Sequence, residues 1–358
     1  MQDADGISLS LYDVYWNVED MWGRVCVVCL AVSASISVWG GMRGSDSSYV
    51  VFWNVENYFD PFDDSLTLDD EFTPSGYRHW TWKRFLEKRN LMAKTLMSMY
   101  DRYGDWPLAV GFAEVENNMV LRQLVEHTPL AKLRYKIVHH DSPDSRGIDV
   151  GFIYREEYID VIDVEVLSVL TGRERPTRDI LHIACLMFTG GLHKDTVHFF
   201  INHWPSKFGG DEYSRPFRQA AADTLRRAVV ALRDSVTGLL PWVIVTGDFN
   251  DTPDSGPVSS LLRGTGLVDL ASGLQRHGKG SLKYNGRWEL IDHFHVSPVA
   301  EGSVMEIYSH PMLIEDDDKF LGVKPRRSYY GPMWHGGASD HLPVVLVFPF
   351  TSGGTGDR

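Results

Sequence analysis

Apolar residues fall along the chain in short runs, each closed by polar or turn-forming residues. They read "YVVFW" (49–53), "LAVGF" (108–112), "IDVGFIY" (148–154), "VIDVEVLSV" (161–169), "ILHIACLMF" (180–188), "TVHFFI" (196–201), "WVIVTG" (242–247), "LIDHFHV" (290–296) and "LPVVLVF" (342–348). Runs of this length, rich in Val, Ile, Phe and Tyr, predict β-strands buried on one or both faces. Two segments follow a helical period instead: Trp82 to Tyr100, with Lys and Arg opposite its apolar stripe, and Pro216 to Arg233, which follows Ser214 as a candidate N-cap. Several strands succeed one another with no helix between them, so the sheets are predicted to be mixed rather than purely parallel. Two such sheets packed face to face, with helices outside, would bury both faces of each. One large α/β domain over residues 47–350 accommodates all of this, and the last eight residues, "TSGGTGDR" (351–358), read as a loose tail.

The first 46 residues break the pattern. Residues 1–20 are acidic and weakly patterned; then Met21-Trp-Gly-Arg24 precedes "VCVVCLAVSASISVW" (25–39) and a Gly- and Ser-rich stretch. One positive charge ahead of fifteen apolar or small residues predicts an export signal starting at Met21, in a protein destined for the periplasm, the cell surface or the medium. The run is short of the ~20 residues that span a bilayer. Cleavage would remove Cys26 and Cys29, leaving Cys185 alone within "ILHIACLMF". A disulfide framework is thereby excluded, and a lone cysteine on an apolar strand reads as core. The formal charge of -13 argues against general adhesion to nucleic acid or anionic lipid, without excluding a local basic groove.

The strands end unusually. "YVVFW" is followed by Asn54-Val-Glu56-Asn57, "LAVGF" by Ala113-Glu114-Val-Glu116, "TVHFFI" by Asn202-His203-Trp-Pro, and "WVIVTG" by Asp248-Phe-Asn250-Asp251. Asp292 sits within "LIDHFHV", and Ser339-Asp340-His341 precede the last strand. Each has a plainer reading alone, as a solvated cap or an Asx-turn. Together they place carboxylates, amides and imidazoles where the loops of an α/β sheet converge. That inventory matches a hard divalent cation, Mg²⁺ or Mn²⁺. No H-E-x-x-H spacing, P-loop, dinucleotide fingerprint or G-x-S-x-G elbow occurs, which leaves metal-assisted displacement at phosphorus.

The ordered set "FWNVEN", "FAEVEN", "SRGIDVGFIYR", "NHWPS", "GDFND", "LIDHFHV" and "SDHLPV" resembles the endonuclease/exonuclease/phosphatase superfamily over residues 49–348. The resemblance implies a four-layer sandwich of two mixed β-sheets flanked by helices, and Mg²⁺-dependent phosphoester hydrolysis at the sheet ends. It also implies roles. Asn54, Glu114 and Asp340 would serve the cation. Asp248 would position or deprotonate the attacking water, and Asn250 would hold a phosphate oxygen. His203 matches the deoxyribonuclease-like and sphingomyelinase-like branches rather than the abasic-site branch. Asp292 would pair with His341, the donor to the phosphate.

Weaker signals surround these. Arg146 either meets a substrate phosphate or pairs with Asp144 or Asp149, and Arg173, Arg175, Arg178 and Arg218 are either substrate-binding or a solvated basic face. The segment "YRHWTWKRFLEKR" (77–89) reads as helix packing ahead of base stacking. The leading expectation is an exported nuclease acting on DNA or RNA. A phosphatase or phospholipase-C-like hydrolase of a small or lipid phosphoester is the alternative, and a catalytically inactive binding module the second. No obligate protein partner is indicated.

Overall fold

The computed structural model describes residues 47–172, 177–188, 194–235, 241–300 and 302–349. The expected export signal, the tail and the arginines at 173 and 175 lie outside the described residues. No described helix is long and apolar enough to cross a membrane.

Twelve strands build two six-stranded sheets. In the first, β1 (Ser47–Tyr58) and β2 (Ala109–Val115) run parallel at the centre. Beyond β2 lie β4 (Asp149–Arg155) and then β3 (Tyr135–His139). Beyond β1 lie β12 (Val344–Pro349) and β11 (Val304–Ile307). The second sheet repeats the scheme. Its central parallel pair is β7 (Lys194–His203) with β8 (Trp242–Asp248). Antiparallel β6 (Ile180–Phe188) and β5 (Ile159–Leu167) lie to one side, and β10 (Asp292–Val296) and β9 (Val268–Asp269) to the other. Both sheets are mixed, as the missing crossover helices predict.

Strand alternation separates the hydrophobic layers. Val50 and Phe52 of β1 point into a core between the sheets, with Phe152, Phe199, Ile201, Ile244, Phe294 and Leu346. Val51 and Trp53 point the other way, under α1 (Trp82–Tyr103) and α2 (Asn118–Glu126), where Phe85, Met92 and Leu121 meet them. On the far face of the second sheet, Phe200, Val243 and Val245 pack beneath α3 (Asp211–Ser235) and α4 (Gly256–Leu262). A fifth, short helix spans Ser272–Arg276. The order helix, sheet, sheet, helix is a four-layer sandwich, and strands buried on both faces explain why their sequences read as continuous apolar runs.

Several local expectations shift. Helix α3 begins at Asp211, so Ser214 does not cap it; it lies inside, donating Oγ–H to Gly210 O at 2.7 Å. Strand β5 starts two residues before the apolar run that marks it, at Ile159. Within "YRHWTWKRFLEKR", Trp80 and Phe85 are core residues rather than an exposed stacking surface. Cys185 is buried between the sheets, as a core cysteine should be.

Candidate active site

The two parallel pairs end at one place, and their last residues touch across the sheets. Asn54, ending the regular part of β1, donates Nδ2–H to Asp248 Oδ2 at 2.9 Å. Glu114, ending β2, brings Oε1 to 3.9 Å from His203 Nε2, and the same nitrogen lies 3.8 Å from Asp248 Oδ2. Asp248 is paired in register with His203 on one side and Asp292 on the other, so three functional residues arrive on neighbouring strands. Gly247 permits this: a Cβ there would stand 2.3 Å from Asn202 O, which only glycine avoids.

His341 reaches the same point from the loop before β12. Its Nδ1 lies 2.7 Å from Asp292 Oδ2, which also accepts a hydrogen bond from Ser281 Oγ. Its Nε2 faces Asp248 Oδ2 at 3.9 Å and Asp340 Oδ1 at 4.0 Å. Trp53 Nε1–H holds the His341 carbonyl at 3.0 Å, and Ser339 Oγ–H bridges to Asn54 O at 2.7 Å, tying the loop to β1. Asn250 donates its backbone N–H to Asp248 Oδ1 and its Nδ2–H to Trp204 O.

The backbone is strained here. Glu56, Asn57, Glu114 and Asn250 all have φ between 48° and 62°, and the pairing register of β1 and β2 breaks beside them. Left-handed backbone at residues other than glycine costs about 1–3 kcal/mol each and clusters at functional sites. At β2 the break turns Glu114 toward His203, while its Oε2 accepts the Asn57 N–H at 2.8 Å.

Burial and charge set the protonation states. Burial and the neighbouring Asp292 push Asp248 up to about 7, against the pull of His341 and the Asn54 hydrogen bond. Burial alone would depress His341; Asp292 in contact, with Asp248 and Asp340 nearby, outweighs it and raises the imidazole well above its ordinary value. His341 is thus an imidazolium held in orientation by Asp292. His203 goes the other way: burial, then Arg178, Arg146 and His341, keep it neutral.

A cation fits this donor set. Ligand atoms of Asp248, Asp292 and His341 lie within 4.8 Å of one another, but a charged His341 bonded to Asp292 offers no lone pair, so the donors left for a cation are the carboxylates of Asp248, Glu114 and Asp340. Oxygen donors without thiolate suit a hard divalent ion. Glu114 and Asp340 are the residues that would hold it, with Asn54 ordering Asp248 alongside.

Three residues to which the sequence assigned no role complete the centre. Glu56 is buried, its Oε1 accepting from Arg327 Nη2 at 3.0 Å and its Oε2 from the Ser328 N–H at 2.6 Å. Arg327 extends on to Asp340 Oδ2 at 3.1 Å. Lys88 lies fully buried beneath, donating to Glu56 O at 2.6 Å and Ala338 O at 2.9 Å, and to Ser328 Oγ. Burial lowers Lys88 to about 8, and burial with Asp340 nearby raises Glu56 to about 7. Glu56 stands inside the quoted "FWNVEN", the one sequence signal for this network.

The expected arginines divide. Arg178 is buried, donating Nη1–H to Asp144 at 3.0 Å and Nη2–H to Trp204 O at 2.9 Å, the carbonyl that Asn250 also uses. Arg146 is half-exposed and 3.5 Å from Asp144, while Asp149 is engaged by Ser142 instead. Arg218, expected to meet substrate, is corrected: it is fully buried and saturated by Asp251 at 2.9 Å, Ser214 Oγ at 2.9 Å and Asp211. Its guanidinium, fully buried, fastens α3 to the loop after β8 and is out of a ligand's reach.

Solved structures share the fold. D. rerio TDP2 complexed with single strand DNA product superposes with a TM-score of 0.50 at 15% identity, covering 84% of this chain and 98% of that one. The human Nocturnin catalytic domain with bound sulfate gives 0.51 at 16%, covering 85% and 95%. A Bacteroides thetaiotaomicron mannosyl-6-phosphatase gives 0.50 at 14%, covering 84% and 98%. At these identities the likeness speaks to the fold. No curated protein matches the chain. The sequence profile of the Endonuclease/Exonuclease/phosphatase family matches residues 49–349, nearly the whole described chain, and the protein belongs to that family of metal-dependent phosphoesterases.

Proposed function

We propose that the protein is a Mg²⁺-dependent phosphodiesterase acting on nucleic acid. The observation that carries this is the Asp292–His341 pair set opposite Asp248, with Nε2 3.9 Å from Oδ2. At that distance the two side chains stand side by side over one point, so Asp248 can align a water and His341 a phosphate oxygen of the same incoming diester. His341, charged and held by Asp292, donates to the phosphate or its leaving oxygen. Asp248, aligned by Asn54 Nδ2 and the Asn250 N–H, orients and deprotonates the attacking water. Asn250 stands to hold a non-bridging oxygen, and neutral His203 offers a second hydrogen bond there. A bound Mg²⁺ supplies charge neutralisation at phosphate oxygens.

Two arginines beside the centre support an anionic polymer as substrate, and a protein of the same fold has been crystallised with a single strand DNA product. A second reading, a phosphomonoesterase of a sugar phosphate, draws on the phosphatase that shares the fold. Export belongs to the proposal through the apolar run at 25–39 alone. Plasmid DNA, RNA, sphingomyelin and inositol phosphates, each incubated with Mg²⁺ and with chelator, test it. Chelator-sensitive cleavage of DNA or RNA alone is the expected result; hydrolysis confined to the lipid or the inositol phosphates would overturn the nucleic-acid reading.

A further inference from the structure

Beside the catalytic centre lies a cavity of 410 Å³ that none of the catalytic roles uses. Arg146, Arg178, Thr171, Pro205, Phe208 and Phe217 line it. Building on the phosphodiesterase reading above, we propose that this cavity is a nucleoside subsite: it takes the base and sugar attached to one side of the scissile phosphate.

Its position is the first argument. Arg178 Nη2 and Asn250 Nδ2 both donate to Trp204 O, at 2.9 Å each, so one carbonyl separates the cavity wall from a residue assigned to the phosphate. Arg146 and Arg178 face one carboxylate, Asp144, so the mouth keeps a net positive charge suited to a phosphate with its substituent pointing inward.

Its chemistry is the second. Phe208 is 89% exposed at the cavity rim, so the face of its ring is open to a stacking partner. Phe217 stands on α3 across from it, edge-on to Tyr213 at 5.8 Å. Aromatic rings stack on the face of any nucleobase, a contact worth about 1–3 kcal/mol per base. The hydroxyls of Thr171, Thr177 and Ser206 supply polar partners for a sugar or a base edge. The volume falls within the roughly 300–1,000 Å³ range of small-molecule sites.

The cavity is also braced. Arg218 ties Ser214 and Asp211, at the start of α3, to Asp251, and Lys207 adds an ion pair to Asp251 at 3.4 Å. Gly209, at φ +83°, packs against the Tyr213 ring, so close that a Cβ would stand 2.8 Å away. The buried arginine misread as a substrate ligand thus frames the wall of the subsite.

The test uses three diesters with one leaving group, p-nitrophenolate: the p-nitrophenyl esters of thymidine 3′-phosphate and thymidine 5′-phosphate, and methyl p-nitrophenyl phosphate. With Mg²⁺, the wild-type protein should favour one thymidine ester over the methyl ester by about tenfold or more in kcat/KM. Phe208→Ala, at an exposed position that carries no fold, should erase about tenfold of that preference, chiefly through KM, and leave the methyl ester within about twofold. Phe208→Trp should restore it. Equal hydrolysis of methyl and thymidine esters by the wild type, or equal losses on both in Phe208→Ala, would overturn the subsite while leaving the phosphodiesterase intact. No hydrolysis of any of the three would overturn both.

Discussion

His341 and Asp292, 49 positions apart in sequence, share a buried contact of 2.7 Å between Nδ1 and Oδ2. The carboxylate does two things at once: it fixes the orientation of the ring and holds its charge, with Ser281 Oγ locking the carboxylate in turn. Asp292→Asn keeps the shape and removes the charge. It should lower kcat about 10²–10⁴-fold, in line with the loss of one proton-transfer partner, with little change in melting temperature. Activity within a few fold of wild type would make the pair structural.

Arg327 bridges Glu56 and Asp340, at 3.0 and 3.1 Å, and so aims a carboxylate that would hold the cation. Residues that orient ligands typically account for about 10–100-fold in metal affinity. Arg327→Met should therefore raise the Mg²⁺ concentration for half-maximal activity by about tenfold or more, and saturating Mg²⁺ should recover much of kcat. A variant with unchanged Mg²⁺ dependence would detach Arg327 from the metal centre.

Much of this was legible in the sequence where function sits at strand ends. Asn54, Glu114, His203, Asp248 and Asp292 each follow or open an apolar run, and parallel central strands bring those ends together. Glu56 was visible among the polar strand ends but given no role, because a period-two pattern presumes an unbroken strand, and left-handed backbone at Glu56 and Asn57 redirects both side chains. Arg327 and Lys88 were hidden because their partners lie hundreds of residues away: Lys88 meets Ala338 and Ser328 across the chain. Arg218 misled for a different reason: its partners Asp211, Ser214 and Asp251 lie near it in sequence, and only the fold buries them together. On a helix rich in Ala and Arg nothing local separates a solvated guanidinium from one buried against Asp251.

Lys88 gives the stability counterpart. Its ammonium satisfies two buried carbonyls and the Ser328 hydroxyl, in the field of Glu56. Lys88→Met would leave those oxygens unpaired and Glu56 short of a compensating charge. Removing one partner from a buried charged group costs about 3–5 kcal/mol. Urea unfolding should show a loss of that order; a loss within about 0.5 kcal/mol would mean that water replaces the ammonium.

His293 predicts a pH dependence away from the catalytic groups. It is fully buried on β10, stacked on Phe249 at 4.7 Å, with Nε2–H donating to Leu290 O. Burial, then the neighbouring His295, lower it to about 3, while Asp269 and Asp254 pull only weakly the other way. The folded protein therefore keeps this ring neutral where the unfolded chain, near its ordinary value of about 6.5, takes up a proton. Stability from this group is complete above pH 6.5 and is lost as pH falls toward 3, at about 1.4 kcal/mol per pH unit once the unfolded ring is charged. Between pH 6 and 5 exposed carboxylates remain ionised, and the raised carboxyls of Asp248 and Glu56 contribute alike to wild type and variant, so the difference between the two slopes reports His293. His293→Gln keeps a donor toward Leu290 O and removes the titration. Its melting temperature should fall less steeply than wild type over that interval, and parallel slopes for the two proteins would show that His293 already shares its proton in the fold.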